Sequence, residues 1–222
     1  VIGADSHTCT HGAMGAFATG VGSTDLAAAW ATGKIWLKTP ETMAFDISGA
    51  PSKWAFGKDV ILKIIGMIGV DGARYRAMEF RGPGVAAMSI YDRLTMANMA
   101  IEAGAKNGIF EADEKTAEYL AGTPARKGKI YASDADAVFA DVVKVDIEGM
   151  EPVVACPSLP ENVKAVGELK GVKIDQSFVG SCTNGWLPDL RLAASVIKGK
   201  KVHPQVRMIV IPATQRIYRA AM

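Results

Sequence analysis

Short apolar runs with strand character alternate with helical patterns along this chain, and that alternation restricts it to α/β layering. Thr42-Met43-Ala44-Phe45-Asp46-Ile47 alternates like a strand, Lys58 to Ile68 repeats with helical period, and Tyr75 to Phe80 is a second short strand. Ser89 is placed to cap the next helix, Asp92 completes a capping box, and Gly104 is placed to stop it. Asp113 to Ala121 reads as a surface helix, 122–128 as a basic loop, and Val138–Ile147 and Pro152–Ala155 as strand-like runs. The remainder repeats strand, helix, strand, helix: Val172–Val179, Leu187–Ile197, Val206–Ile211 and Thr214 onward. Ahead of all this, Val1 to Asp5 reads as the end of a buried strand and His11 to Thr19 as a tightly packed helix. Ser23 stands as N-cap of a helix reaching about Ile35. With Thr39-Pro40 as a boundary, the pattern divides into three α/β subdomains. Residues 1–40 form the C-terminal part of a first, 41–150 a second, and 151–222 the start of a third.

Composition narrows the function classes. A net charge of +2 over 25 basic and 23 acidic residues leaves no basic field, so nucleic acid is not expected as a partner. No apolar stretch approaches the roughly 20 residues of a membrane span, so no membrane association is expected either. No signal peptide is visible, and the first residue is not Met, so the chain is expected to be a piece of a longer one. The three cysteines, Cys9, Cys156 and Cys182, form no C-x-x-C pair. That argues against a disulfide framework and for a reducing compartment, the cytoplasm.

Three local features carry chemistry. Asp5-Ser6-His7-Thr8-Cys9-Thr10-His11-Gly12 packs a carboxylate, hydroxyls, two imidazoles and a thiol ahead of an Ala-rich segment. Asp, Ser and Thr there are what helix caps look like. Capping does not explain two of the chain's three histidines, which at a spacing of four face one side of an α-helix and suit a metal or acid–base role. In the helix from Ser89 to Ala103, Tyr91, Thr95, Asn98 and Glu102 form one polar stripe on an otherwise apolar cylinder. Glu102 then either meets solvent along one edge or faces a cleft, where it suits general acid or base work. Gly180-Ser181-Cys182-Thr183-Asn184-Gly185 ends a strand, where open α/β sheets place ligand sites. Cys182 there is open to roles as a nucleophile or as a thiolate ligand to iron–sulfur or zinc. The glycines from Gly12 to Gly22 lack a dinucleotide fingerprint and serve close packing.

Taken together, "GADSHTCTHGAMGAFATGVGSTD", "LTMANMAIEAGA" and "GSCTNG" resemble the aconitase superfamily, within it the branch of isopropylmalate dehydratase and homoaconitase large subunits. "YASDADAV", "EPVVACPSLPENV" and "VHPQVRMIVIPAT" extend the likeness over essentially the whole chain. The resemblance implies an aconitase-type iron–sulfur domain of three-layer α/β/α subdomains, truncated at both ends. It implies a [4Fe–4S] hydro-lyase interconverting 2- and 3-isopropylmalate in leucine biosynthesis. A homoaconitase, or a dimethylmalate or citramalate dehydratase, is the alternative. By the resemblance Cys182 is a cluster ligand, and Asp5 and His7 hydrogen-bond the water or hydroxyl at the open iron. Ser6 contacts a substrate carboxylate, Glu102 is the acid–base group, and Asn98 and Asn184 bind substrate or lie beside the cluster. Asp5, His7, Glu102 and Cys182 are then expected to converge on one cleft. Cys9 and Cys156 become structural.

The family's Cys-x-x-Cys pair is missing here, as is the swivelling domain, which in this branch usually belongs to a small subunit partner. Trp186-Leu187-Pro188 stands where the family has an Arg and an acidic residue, and His11 where it often has Tyr. Alone, the chain is expected to lack the cluster and to be inactive. Two readings from other classes stay open: a cluster-free scaffold that binds a partner subunit, and a mononuclear metallohydrolase using Asp5, His7 and His11.

Overall fold

The computed structural model of the chain describes residues 1–121, 123 and 128–222, which fall into two units, Val1–Glu168 and Leu169–Met222. The basic loop expected at 122–128 therefore lies largely outside the described residues. The opening strand is only two residues long, Ile2–Gly3 (β1), and Val1 ahead of it is exposed rather than buried. Helical structure then begins earlier than the Ala-rich stretch suggests. It runs over Ser6–Met14 as a 3₁₀ helix, with Asp5 as N-cap and Gly15 in the left-handed region closing it. The hydroxyls of Thr8 and Thr10 each donate to the carbonyl three residues back, on Asp5 and His7, both at 2.6 Å. These side-chain bonds engage carbonyls that an α-helix would pair four residues on, which favours the tighter winding.

The segment expected to be helical up to Thr19 ends in a second short strand, Thr19–Gly20 (β2), parallel to β1. The following helix is Ser23–Thr32 (α1). Its N-cap is Gly22, not Ser23, and left-handed Gly33 stops it before Ile35. Next come Thr42–Ser48 (β3), Gly57–Ile68 (α2), Ala77–Arg81 (β4), Pro83–Ala87 (α3) and Ile90–Asn98 (α4). α4 tightens into a 3₁₀ turn, Met99–Ala103, and left-handed Gly104 ends it as the sequence implies. Asn107–Phe110 (β5), Glu114–Leu120 (α5) and Asp141–Asp146 (β6) follow, then an antiparallel pair, Val153–Ala155 (β7) and Val163–Ala165 (β8). β4 starts two residues later than its sequence signal. Tyr75 takes a positive φ of 58°, and the Arg76 amide turns back to the Ala73 carbonyl.

The first unit is built on a four-stranded parallel sheet in the order β5-β4-β3-β6. Its register sets Phe45 opposite Phe80 and Phe80 opposite Phe110, with ring centroids 5.6 and 4.9 Å apart. All three rings are buried, so one aromatic ladder crosses three strands. The capping box at α4 forms as expected: Ser89 Oγ accepts from the Asp92 amide while Asp92 Oδ2 accepts from the Ser89 amide. Asp92 Oδ1 also accepts from the Gly57 amide at 2.8 Å, tying the start of α2 to that of α4. Within the largely buried α4, Arg93 is 1% exposed, held by Asp113, the N-cap of α5.

The 3₁₀ helix packs along α4 and against β5. Gly12 permits the closest approach, because a Cβ there would stand 1.8 Å from the Gly108 carbonyl oxygen. Backbone at that distance cannot rotate away as a side chain would. Gly12→Ala is therefore expected to destabilise the first unit by about 3 kcal/mol, the upper end of ordinary overpacking. Urea unfolding of this variant with an unchanged midpoint would contradict the packing.

The second unit has its own parallel pair. Gln176–Gly180 (β9) leads into a single turn, Ser181–Asn184 (α6), then Leu187–Ile197 (α7), Arg207–Ile211 (β10) and Gln215–Ala221 (α8). Val172 and Ile174, expected in the strand, precede it and are exposed. Leu190 of α7 and Ile217 of α8 are buried, the two helices pack on each other, and Thr214 caps α8 by accepting from the Ile217 amide. The arrangement is a mixed α/β fold on parallel strands, in keeping with α/β/α layering. Among the described residues no helix is long and apolar enough to cross a membrane.

Candidate active site

Asp5, Ser6 and His7 sit where β1 gives way to the 3₁₀ helix. Gly20 lets β2 lie against that turn, since a Cβ there would come within 2.7 Å of the Asp5 carbonyl oxygen and the Ser6 Cα. Asp5 does act as a cap: its Oδ1 accepts from the His7 amide at 2.7 Å. The same oxygen lies 3.5 Å from His7 Nδ1, and Ser6 Oγ lies 3.2 Å from that nitrogen. Across the ring, His7 Nε2 is 3.7 Å from Glu102 Oε1. His7 thus stands between two carboxylates contributed by distant segments. Its side chain is 32% exposed and that of Glu102 41%, so both remain reachable from outside the unit.

The polar stripe resolves differently along its length. Thr95 and Asn98 are buried at 2% and 1%, while Glu102 is part-exposed, so the stripe is neither wholly a solvent edge nor wholly a closed cleft. Asn98 Nδ2 donates to Thr10 Oγ1 at 2.8 Å, and Cys9 Sγ donates to the Asn98 carbonyl at 3.3 Å. The stripe therefore faces the 3₁₀ helix. Cys9 is fully buried, in line with a structural role.

His11 does not pair with His7 as the spacing suggested. Residues three apart eclipse on a 3₁₀ helix, so four apart diverge by about 120°. His11 Nδ1 is instead 2.9 Å from the Thr8 carbonyl. Sequence reasoning also gave Thr10 no role, although its hydroxyl meets both His7 and Asn98. The signal for that contact was the winding of the helix, which residue types alone do not reveal.

The second unit holds Cys182 and Asn184 on the turn at the C-terminal end of β9. Ser181 takes a φ of 81°, a left-handed conformation unusual for a non-glycine residue and concentrated at functional turns. Cys182 is exposed, with its Sγ 4.0 Å from Thr183 Oγ1. Asn184 Nδ2 lies 3.4 Å from Asp189 Oδ1 in the first turn of α7. Among the described residues, no group of three or more His, Cys, Asp or Glu is assembled around a metal position.

A family model described as "Aconitase family (aconitate hydratase)" matches residues 1–170 and 164–222. Three relatives align over this chain's full length, each bearing the name 3-isopropylmalate dehydratase large subunit. The protein from Moorella thermoacetica is 61% identical over 222 residues, covering 100% of this chain and 53% of the relative. That from Acetivibrio thermocellus is 59% identical with the same coverage, 100% and 53%. That from Sulfurihydrogenibium sp. is 58% identical, covering 100% of this chain and 52% of the relative. The chain spans about half the length of the curated relatives it matches. With the family match running through both units, the chain belongs to the aconitase family.

Proposed function

We propose that the longer protein containing this chain is a [4Fe–4S]-dependent hydro-lyase interconverting 2- and 3-isopropylmalate by dehydration and rehydration, a step of leucine biosynthesis in the cytoplasm. In this reading the chain is part of the large subunit, and its partner is a small subunit carrying the swivelling domain. Residues 1–40, 41–150 and 151–222 belong to successive α/β subdomains, with Asp5, His7 and Glu102 as the acid–base set and Cys182 as a cluster ligand. The observation that carries the proposal is His7 set between the carboxylates of Asp5 and Glu102. The relatives' printed name supports the choice of substrate.

An exposed thiol on a turn at the end of a parallel strand fits the donor chemistry of an iron–sulfur cluster, whose irons take cysteine thiolates. Cys182 supplies one such ligand, and the remaining thiolates come from other parts of the longer protein. When bound, the cluster supplies a Lewis acid that stabilises the negative charge developing on a departing hydroxyl. The chain's own residues handle binding and protons. Ser6 Oγ hydrogen-bonds a substrate carboxylate, and Asn98 and Asn184 orient the acid. Glu102 carries the proton that converts the hydroxyl into water and takes one back on rehydration, while the proton lost from the neighbouring carbon passes to a base on the swivelling domain and returns from it. Asp5 fixes the main chain of His7 by accepting from its amide, and Ser6 Oγ meets the ring at Nδ1, leaving Nε2 directed to Glu102.

Anaerobic cluster reconstitution of the full-length gene product, followed by turnover of 2-isopropylmalate, tests the proposal. Charge-transfer absorbance together with formation of 3-isopropylmalate is expected. A protein that takes up no cluster would reject the reading. A cluster-loaded one that converts only homoaconitate, dimethylmalate or citramalate would keep the hydro-lyase and replace its substrate.

A further inference from the structure

We propose that the dicarboxylate substrate reaches Ser6 along a cationic cavity of the first unit, where Lys34, Arg74 and Lys106 draw it in and hold it by charge. The proposal rests on the hydro-lyase reading above and adds to it how a doubly negative acid is admitted. The cavity has a volume of about 820 Å³, within the range of small-molecule sites, and every residue of its wall belongs to the first unit. Ser6 lines it. So do three cations from separate segments: Lys34 after α1, Arg74 ahead of β4 and Lys106 ahead of β5. Ser6, Lys34 and Arg74 are exposed and Lys106 is half-buried, so all four are open to a solute.

The charge balance of this wall suits an anion. Among the described residues, none of the three cations forms an ion pair. Lys106 instead stands over the ring of Tyr75, another lining residue, with Nζ 4.7 Å from the centroid; the ring attracts the charge without neutralising it. Asp25 is the one acidic residue of the described lining. It sits in the first turn of α1, where the positive end of the helix offsets its charge. The acid–base set has the opposite character. Asp5 and Glu102 place two carboxylates about His7, so a dianion coming straight to that ring meets like charge. Ser6 is common to both regions, lining the cavity while its Oγ lies 3.2 Å from His7 Nδ1. A carboxylate moving along the cationic wall thus finds a neutral hydroxyl donor at the side of the acid–base set. The cations act on the substrate's overall charge and not on the bond being broken, so ground state and transition state gain alike.

The test uses the full-length enzyme with its cluster and small subunit, assayed on 2-isopropylmalate over a range of potassium chloride. Lys34→Gln, Arg74→Gln and Lys106→Gln combined are expected to raise KM about 30-fold at low salt, roughly threefold per charge, with kcat within about twofold. Calorimetric affinity for 2-isopropylmalate should fall by the same factor. Wild-type KM should climb as salt screens the cations, whereas KM of the triple variant should change little. The charge-keeping set Lys34→Arg, Arg74→Lys and Lys106→Arg should bring back both the low KM and its salt response. A triple Gln variant with wild-type KM would overturn the proposal. A raised KM that still climbs with salt as in wild type would overturn it too, because lost packing and not lost charge would then be the cause. Should the triple variant fail to fold, Lys34→Gln with Arg74→Gln, both at exposed positions, is judged by the same criteria with a rise of about tenfold expected. A cluster-loaded wild type inactive on 2-isopropylmalate would bring down the hydro-lyase reading and the cationic approach with it. An active wild type indifferent to loss of the three charges would remove the cationic approach alone.

Discussion

Asp113→Asn is expected to destabilise the first unit by about 3 kcal/mol, the lower end of the cost of stranding a buried cation, since Asp113 itself is about one-third exposed. Arg93 is 1% exposed, and its guanidinium donates to Asp113 Oδ2 at 2.6 Å and to the Val85 carbonyl at 3.3 Å. It also lies 6.0 Å from the centre of the Phe110 ring, the end of the aromatic ladder. Among the described residues, Nε of Arg93 is buried without a hydrogen-bond partner. Asparagine retains the oxygen that caps α5 through the Thr116 amide but sets an NH2 donor where Asp113 Oδ2 accepts from Arg93; Asp113→Ala, losing the cap as well, should be worse by about 1 kcal/mol. Replacing Arg93 with Met alongside Asp113→Asn should recover most of the loss, because no cation is then left stranded. Urea midpoints of the three variants decide the matter, and an Asp113→Asn midpoint equal to wild type would refute it.

Acid probes the same pair more gently. The Arg93 guanidinium holds the Asp113 carboxyl at about 2, below its ordinary 3.8. A group lowered on folding contributes stability in full above its unfolded value and loses it as pH falls through the folded one. The pair's contribution should therefore be complete above about pH 4 and disappear toward pH 2. With Asp113 about one-third exposed and partly screened, it amounts to about 1–2 kcal/mol. Protonation has the smaller effect because the neutral carboxyl still accepts a hydrogen bond from Arg93.

Glu102→Gln in the full-length, cluster-loaded enzyme should lower kcat by about 10²–10⁴-fold while leaving the cluster absorbance unchanged. Glutamine matches glutamate in shape and can still approach His7, but it carries no proton to exchange. The 3.7 Å between Glu102 and His7 Nε2 is too long for a hydrogen bond and leaves the carboxyl available to substrate. Glu102→Asp, which retracts the carboxyl by one methylene, should fall between the two because the proton remains but its reach shortens. Wild-type turnover in a cluster-loaded Glu102→Gln enzyme would remove Glu102 from the acid–base role.

Features governed by local chemistry were legible in the sequence. The Ser89–Asp92 capping box, the stop at Gly104 and the span Leu187–Ile197 all emerge as read, because caps and periodicity act within one or two turns. What long-range packing decides was not. β5 escaped notice because Asn107-Gly108-Ile109-Phe110 shows no alternation, and its fully buried Asn107 looks like a turn residue. Arg93 gave no sign of burial, since its partner Asp113 sits beyond an intervening strand. At the site, residue types singled out Asp5, His7 and Glu102. The divergence of His7 from His11 and the contact of Thr10 with Asn98 depend on a 3₁₀ winding that an Ala- and Gly-rich segment disguises.

The strand order β5-β4-β3-β6 also sets a timetable for the growing polypeptide. β3 pairs with β4, roughly 35 residues further on, and with β6, roughly 100 residues further on; closing the longer loop costs about 1 kcal/mol more. At ordinary synthesis rates the ribosome needs roughly 5–20 s to make those 100 residues. Until residue 146 emerges, the second edge of β3, from Met43 to Ser48, has unpaired amides and carbonyls flanked by Met43, Phe45 and Ile47. Such an edge is a template for pairing with a neighbouring nascent chain. The vulnerable form of this protein is therefore the half-made one, and codon choice or chaperone supply over residues 49–146 should govern its soluble yield more than the stability of the finished fold.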